Sequence, residues 1–182
     1  SQEHDKHRQM SIVEDQLKAI AREVGFDVAR IARADAAWEA GGRLTEFVAA
    51  GRHGDMGWME DTLTRRRHPT AMWPAAKSAL VVGLNYGPSH DPLEPLSRPD
   101  HATISVYAQN VDYHDLMKAR AKRLASSIHE KHGAEVKVFV DTAPVMEKPL
   151  AAAAGLGWQG KNTMLVSREH GSWLFLGAIF TT

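Results

Sequence analysis

Val13, Leu17, Ile20 and Val24 share one face of a helix, Ser11-Ile12-Val13-Glu14 has the form of a capping box, and Gly25 supplies a stop. These features predict a first helix beginning at Ser11. Phe26, Val28 and Ile31 predict a short strand. A second helix, capped by Asp35, buries Leu44, Phe47 and Val48 and ends near Gly51, and the glycines between 51 and 57 mark a loop. Residues 78–86, SALVVGLNY, read as a buried strand. Pro88, Pro92, Pro95 and Pro99 forbid a regular element over 87–102, and a strand is predicted from Thr103 to Ala108. The strongest periodicity lies between Asp112 and His132. Met117, Ala121, Leu124, Ala125 and Ile128 are apolar there, Lys118, Arg120, Lys122 and Arg123 lie mostly opposite, and Gly133 ends the helix.

Val136, Val138 and Val140 alternate along a strand that carries Asp141 at its C-terminal end. A helical segment over 144–154 contains Pro149, which demands a kink or a late start. Strands over 162–166 and 172–180, joined by a turn at His170-Gly171, complete the pattern. Helices and strands in this order give an α+β class, a mixed sheet with flanking helices in a single compact domain. Residues 1–10 form a polar, disordered tail and 11–182 the domain. The chain stops just after an apolar strand, which predicts truncation at the C-terminal side of something longer.

With 182 residues there is room for one domain, and 43% hydrophobic against 24% charged residues is ordinary for a globular chain. Net charge is zero, which excludes a chain basic all over and leaves only local basic faces. No cysteine is present, so this chain alone builds no disulfide, thiolate zinc site or iron–sulfur cluster. The polar start is unlike a signal peptide, and no run of about 18 apolar residues occurs, so a cytoplasmic protein without a membrane span is expected.

Gly155 to Gly160 satisfies G-x-G-x-x-G, but the helix comes before it and the strand after, the reverse of a dinucleotide site. With Lys161 it imitates a phosphate loop, yet Asn162 stands where a hydroxyl should hold magnesium. Two readings stay open: a tight turn, or a loop whose amides approach a ligand. Asp141 likewise reads either as a helix cap or as a carboxyl at the sheet edge, where partial burial would make it an acid. Asp112-Tyr113-His114 approaches a cobalt-ligating D-x-H-x-x-G pattern, but Met117 replaces the glycine, so His114 is not a metal ligand. No metal site is expected, His129 and His132 lacking a third partner. Arg65, Arg66, Arg67 and the basic face of the 112–132 helix are candidate phosphate contacts, or simply solvated charge.

Five stretches in order resemble the N-terminal, cobalamin-binding part of epoxyqueuosine reductases: Arg67-His68-Pro69 with SALVVGLNY; Tyr107-Ala108 with Asp112-Tyr113-His114; Val140 to Lys148 (VDTAPVMEK); GLGWQGKNTMLV, 155–166; and GSWLFLG, 171–177. The resemblance covers the chain from about residue 11 to its end. It implies an oxidoreductase that reduces the epoxide of epoxyqueuosine in the tRNA anticodon loop, using cobalamin with no protein ligand on cobalt. It implies Asp141 as proton donor. Arg67, Tyr107, Asp141, Gly160, Lys161, Asn162, Leu165 and Leu176 are then implied around the cofactor, and Arg65, His114, Lys118 and Arg120 at the substrate. The implied partners are a tRNA anticodon stem-loop and an electron donor, with the protein a monomer.

Three departures qualify these expectations. Val106 stands where most members carry arginine, Pro149 interrupts a helix, and the cysteines that would hold 4Fe–4S clusters are absent. The chain by itself is therefore expected to be inactive, as the N-terminal part of a longer enzyme. The competing readings are a non-catalytic cobalamin-binding module and a corrinoid reductase of other substrates, such as organohalides.

Overall fold

The computed structural model describes residues 2–141 and 143–182, with side chains from residue 13 onward. Its elements are α1 (Gln2–Glu23), β1 (Val28–Arg33), α2 (Ala40–Ala49), α3 (Gly57–Asp61), α4 (Leu63–Arg66), α5 (Pro69–Met72), β2 (Ser78–Asn85), α6 (Tyr113–His132), β3 (Val136–Phe139), α7 (Glu147–Ala153), β4 (Trp158–Gln159), β5 (Leu165–Val166) and β6 (Leu174–Thr181). One sheet has the order β1-β2-β6-β3, and β4 pairs with β5 as a separate ribbon. The expected α+β architecture, a sheet flanked by helices, is what the chain forms. All three pairings within the main sheet are antiparallel, where a mixed sheet was expected.

Strand alternation gives the sheet two apolar faces. On one, Ala29, Leu80, Val82 and Ile179 meet Ile20 and Ala21 of α1 and Met117, Ala121, Leu124, Ala125 and Ile128 of α6. On the other, Val28, Ala32, Val81, Ala178 and Phe180 meet Trp73 and the Leu150-Ala151 pair of α7. The apolar stripe of α6 is therefore the one its periodicity predicted. Each fully buried Leu, Ile or Phe contributes about 1.5–3 kcal/mol, so these two layers dominate the stability of the domain. Asp112 caps α6 by accepting from His114 N at 2.9 Å, and Gly133 closes it with φ 65°, its N–H bonding His129 O. His129 Nδ1 lies 2.8 Å from Ala134 O, which gives that histidine a place in the turn after α6.

Several elements differ from the sequence pattern. Helix α1 begins at Gln2, so the segment expected to be a loose tail has helical backbone, and the capping box at Ser11 falls inside the helix. Lys, Arg, Gln, Glu and Met in that segment all favour helix, and nothing there breaks it. The side chains of Ser11 and Ile12 lie outside the described residues. Asp35 caps nothing; it is ion-paired with Arg33 at 3.0 Å, and α2 starts later, after Glu39. The strand predicted from Thr103 is absent, and only a 3-10 turn at Val106–Ala108 forms. Ile104 is 67% exposed and finds no sheet edge to join. The predicted hairpin around His170-Gly171 reduces to one bridge, Ser167 to Gly171, because β6 is taken by β2 and β3. Helix α7 starts late, at Glu147, which places Pro149 in the first turn, where its missing N–H has no intrahelical partner to lose.

Candidate functional site

Chain order brings the site together at one end of the sheet. Helix α6 runs back along the sheet before β3 returns, so the first turn of α6 and the residues just after β3 meet. There His114 Nε2 lies 2.6 Å from Asp141 Oδ2, and the Tyr113 hydroxyl donates to the same oxygen at 3.3 Å. The other ring nitrogen, Nδ1, lies 2.5 Å from Asp112 Oδ1. Asp141 has φ 54°, a left-handed conformation that is uncommon for L-residues but that Asp adopts more readily than most. The alternative of Asp141 as a helix cap is excluded, since Met146 occupies the N-cap of α7.

An aromatic column backs the carboxyl. The Tyr113 ring stacks on Phe175 at 3.7 Å and 7°, Tyr86 stacks on the Phe175 ring at 4.2 Å, and Trp173 meets Tyr86 edge-on. Burial pushes the Tyr113 phenol up to about 12, with the negative Asp141 adding to the effect. The bonds to Asp141 and then to Asp112 raise the affinity of His114 for its proton. The amide of His114 and its ring hold the Asp112 carboxyl below the usual range.

Behind Asp141 sits Glu147, in the first turn of α7. Its Oε1 is buried without a hydrogen-bond partner, and burial pushes its carboxyl up to about 7; the charge of Asp141 adds to this and Arg66 opposes it. Arg66 is fixed in turn, donating to Thr62 Oγ1 at 2.8 Å and lying 4.7 Å over the Trp58 ring. The Arg67-His68-Pro69 motif is a structural clamp. Trp38 Nε1 donates to Arg67 O at 2.7 Å, and His68 caps α5 through Nδ1 while its Nε2 reaches Ala36 O at 2.9 Å. A Cβ on Gly41 would stand 2.1 Å from Arg67 O, so the chain crosses there only because residue 41 is glycine.

The glycine-rich segment also resolves into parts. Gly157 permits the crossing of β4 and β5, since a Cβ there would meet Val166 O at 2.2 Å. Gly160 N bonds Met164 O, Asn162 Oδ1 accepts from Met164 N, and Thr163 takes φ 67°, closing a tight loop that exposes Lys161, Asn162 and Thr163. Lys148 of α7 reaches Met164 Sδ at 4.0 Å, so the first turn of α7 touches this loop through Lys148 and the Asp141 corner through Glu147.

The sequence-predicted residues therefore fall into groups. Asp141 and His114 are in direct contact. Gly160, Lys161 and Asn162 share the exposed loop. Tyr107 is 58% exposed, on the segment leading into Asp112, and Arg65 and Arg67 are exposed beside the clamp. Leu165 is 4% exposed within the core and Leu176 packs partly buried against it, so both support the surface from behind. Lys118 lies one turn along α6. Arg120 is directed elsewhere: its guanidinium donates to Gly25 O at 2.7 Å, tying α6 to the turn after α1. Asp112, Tyr113 and Glu147 were missed as site residues, and Arg66, a candidate phosphate contact, lies instead over Trp58 and near Glu147. A carboxylate between Met146 and Lys148, inside an otherwise apolar stretch, was the signal for Glu147. Both His114 nitrogens are occupied by carboxylates, and no group of three or more His, Cys, Asp or Glu suited to a metal occurs among the described residues.

Residues 66–142 match the family model described as "Epoxyqueuosine reductase QueG, DUF1730", a span that begins at Arg66 and ends one residue past Asp141. The epoxyqueuosine reductase of Gloeobacter violaceus is 45% identical over 169 residues, covering 92% of this chain and 51% of that protein. The chain is homologous to the epoxyqueuosine reductases over the half of them that it spans. A crystal structure of selenomethionine-labelled epoxyqueuosine reductase superposes with TM-score 0.78 at 26% identity, over 94% of this chain and 46% of that one. Another, solved with an epoxyqueuosine-modified tRNA-Tyr stem loop, gives TM-score 0.76 at 25% identity, over 94% of this chain and 45% of that one. The chain thus spans about half the length of the relatives it matches. Among the described residues no helix is long and apolar enough to cross a membrane.

Proposed function

We propose that this chain is the acid- and substrate-bearing half of an epoxyqueuosine reductase, acting on the epoxide of a modified base in the tRNA anticodon loop in the cytoplasm. The observation that carries the reading is Asp141, held in a left-handed conformation against His114 and Tyr113 within the region matched by the family model. An epoxide oxygen leaves poorly unless it is protonated, so a positioned carboxyl is the group the reaction requires. Asp141 Oδ2 is held by His114 and Tyr113. The aromatic column fixes Tyr113 and thereby the carboxyl plane.

Exposed apolar and polar groups near the Asp141 corner support a corrinoid as the ligand. Exposed Ile104, Tyr107 and Val111 lead into Asp112, Trp158 is 49% exposed, and the Lys161–Thr163 loop offers amides and polar side chains to a ligand rich in amide groups. Tyr107, Gly160, Lys161, Asn162 and Arg67 would hold it, with Leu165 and Leu176 supporting the wall. When bound, such a group supplies a reduced metal able to deliver electrons to the epoxide. The electrons come from an iron–sulfur donor, for which this chain has no cysteines. Exposed Arg65 and Lys161, with Lys118 on α6, are the phosphate contacts.

Cobalamin titration of the purified chain, read by its visible spectrum, tests the cofactor: saturable binding with the cobalt base detached is expected, and absence of binding overturns this part of the reading. Titration of an epoxyqueuosine-modified anticodon stem-loop at several salt concentrations tests the substrate. Affinity should fall linearly on a log–log plot, and Arg65→Ala with Lys161→Ala should reduce the slope by roughly two. A slope unchanged by these substitutions removes the assigned phosphate contacts.

A further inference from the structure

His114 stands between two carboxylates, and its hydrogen bonds restrict where protons can be. Asp112 Oδ1 accepts both the His114 amide at 2.9 Å and the ring at 2.5 Å, so Nδ1 must carry a hydrogen. A neutral imidazole has only one N–H. The 2.6 Å contact from Nε2 to Asp141 Oδ2 then holds one further proton, either on nitrogen with Asp141 ionised or on oxygen with the ring neutral. In either form the pair stores one transferable proton.

Reduction of an epoxide by two electrons takes up two protons, whether the product is an alcohol or an alkene and water. A single carboxyl delivers one. We propose that His114 is the proton relay that recharges Asp141 within a turnover. Asp141 gives the proton of the pair to the departing oxygen, its O–H bond breaking with the bonding electrons left on the carboxylate and the ring left neutral. Nε2 of the neutral imidazole then takes a proton from water, for which its partial exposure suffices, and passes it on for the second transfer, the Nε2–H bond breaking with its electrons staying on the ring as an O–H bond on Asp141 forms. The relay itself adds no electrons; both come from the iron–sulfur donor of the proposed reaction. Asp112 keeps the ring in register, and Tyr113 stacks on its face at 4.2 Å. The charged groups around the ring are Asp112 and Lys118 of α6, Asp141 after β3, and Glu147 of α7 with Arg66 beyond it. The nearest are anionic, which favours the charged ring.

The inference rests on Asp141 being the acid, and its tests separate the two ideas. In chain labelled with 15N-histidine, two-bond proton–nitrogen spectra report the protonation of each ring from pH 5 to 9. His114 should remain doubly protonated to a pH at which the freely exposed histidines are neutral, and Asp141→Asn should weaken its proton affinity about tenfold or more. Titration of His114 alongside the exposed rings, or a midpoint unmoved by Asp141→Asn, overturns the relay. In a full-length enzyme His114→Ala should lower kcat by about 10²-fold or more with little change in KM, and added imidazole should restore part of it. Full activity without His114 overturns the relay while leaving Asp141 as the acid. Full epoxide reduction by Asp141→Asn instead overturns the acid assignment, whatever the spectra show.

Discussion

Replacing Glu147 with glutamine should stabilise the chain at about pH 8 and leave it almost unchanged at about pH 4. Burial moves this carboxyl from its ordinary 4.5 to about 7. The folded state therefore binds the proton more tightly than the unfolded chain does. The stability contributed by the neutral acid is complete below about 4.5 and is lost as pH rises through about 7. The difference amounts to about 3 kcal/mol of penalty on the ionised form. Glutamine keeps the size and polarity without the charge, so Glu147→Gln should gain up to about 3 kcal/mol above pH 8, with the gain shrinking to nothing towards pH 4. Urea unfolding of both proteins at a series of pH values reads this directly, and the comparison cancels His114 and Asp112, which also titrate. A difference that stays flat with pH would refute the buried-carboxyl argument. Destabilisation at pH 8 would show instead that the Arg66 pairing outweighs burial.

Three further substitutions test the frame that holds the site. Phe180→Ala removes a fully buried ring that packs on Phe139 at 4.7 Å, and should cost about 3–5 kcal/mol by urea unfolding; a cost below about 1 kcal/mol would mean that the α7 face is not the packed core described. Gly157→Ala places a Cβ 2.2 Å from Val166 O, and should destabilise by about 1–3 kcal/mol while dispersing the amide signals of residues 158–166 in NMR spectra; an unperturbed ribbon would mean the strands cross less closely than they do here. Asp112→Ala removes the α6 cap and one acceptor of the His114 ring, costing about 1 kcal/mol and lowering the pH at which His114 loses its charge; an unchanged His114 midpoint would remove Asp112 from the network.

The sequence by itself determined the elements whose residues answer to local rules. Helix α6 is legible from its stripe, its Asp112 cap and its Gly133 stop, and β2 and β6 from continuous apolar runs that only a two-faced sheet can bury. Pro149 alone signals a kink or a late start in α7, and the structure takes the late start. The homology, too, was readable from five short stretches in order. What the sequence left open needed distance information. Thr103 to Ala108 has strand-like residues and no neighbouring edge, and the 162–166 segment pairs with Trp158-Gln159 rather than with β6, because hydrogen-bond partners are a property of the assembled sheet. Arg120 and Arg66 carry the same charge, yet one ties a turn and the other sits over Trp58 facing Glu147. Asp141 reads locally as a cap as readily as an acid, and only the fold puts Met146 at the cap of α7 and His114, 27 residues earlier, against the Asp141 oxygen. Local sequence fixes what a residue prefers. Only the fold fixes which charges are buried together, and it is that proximity which sets where protons reside.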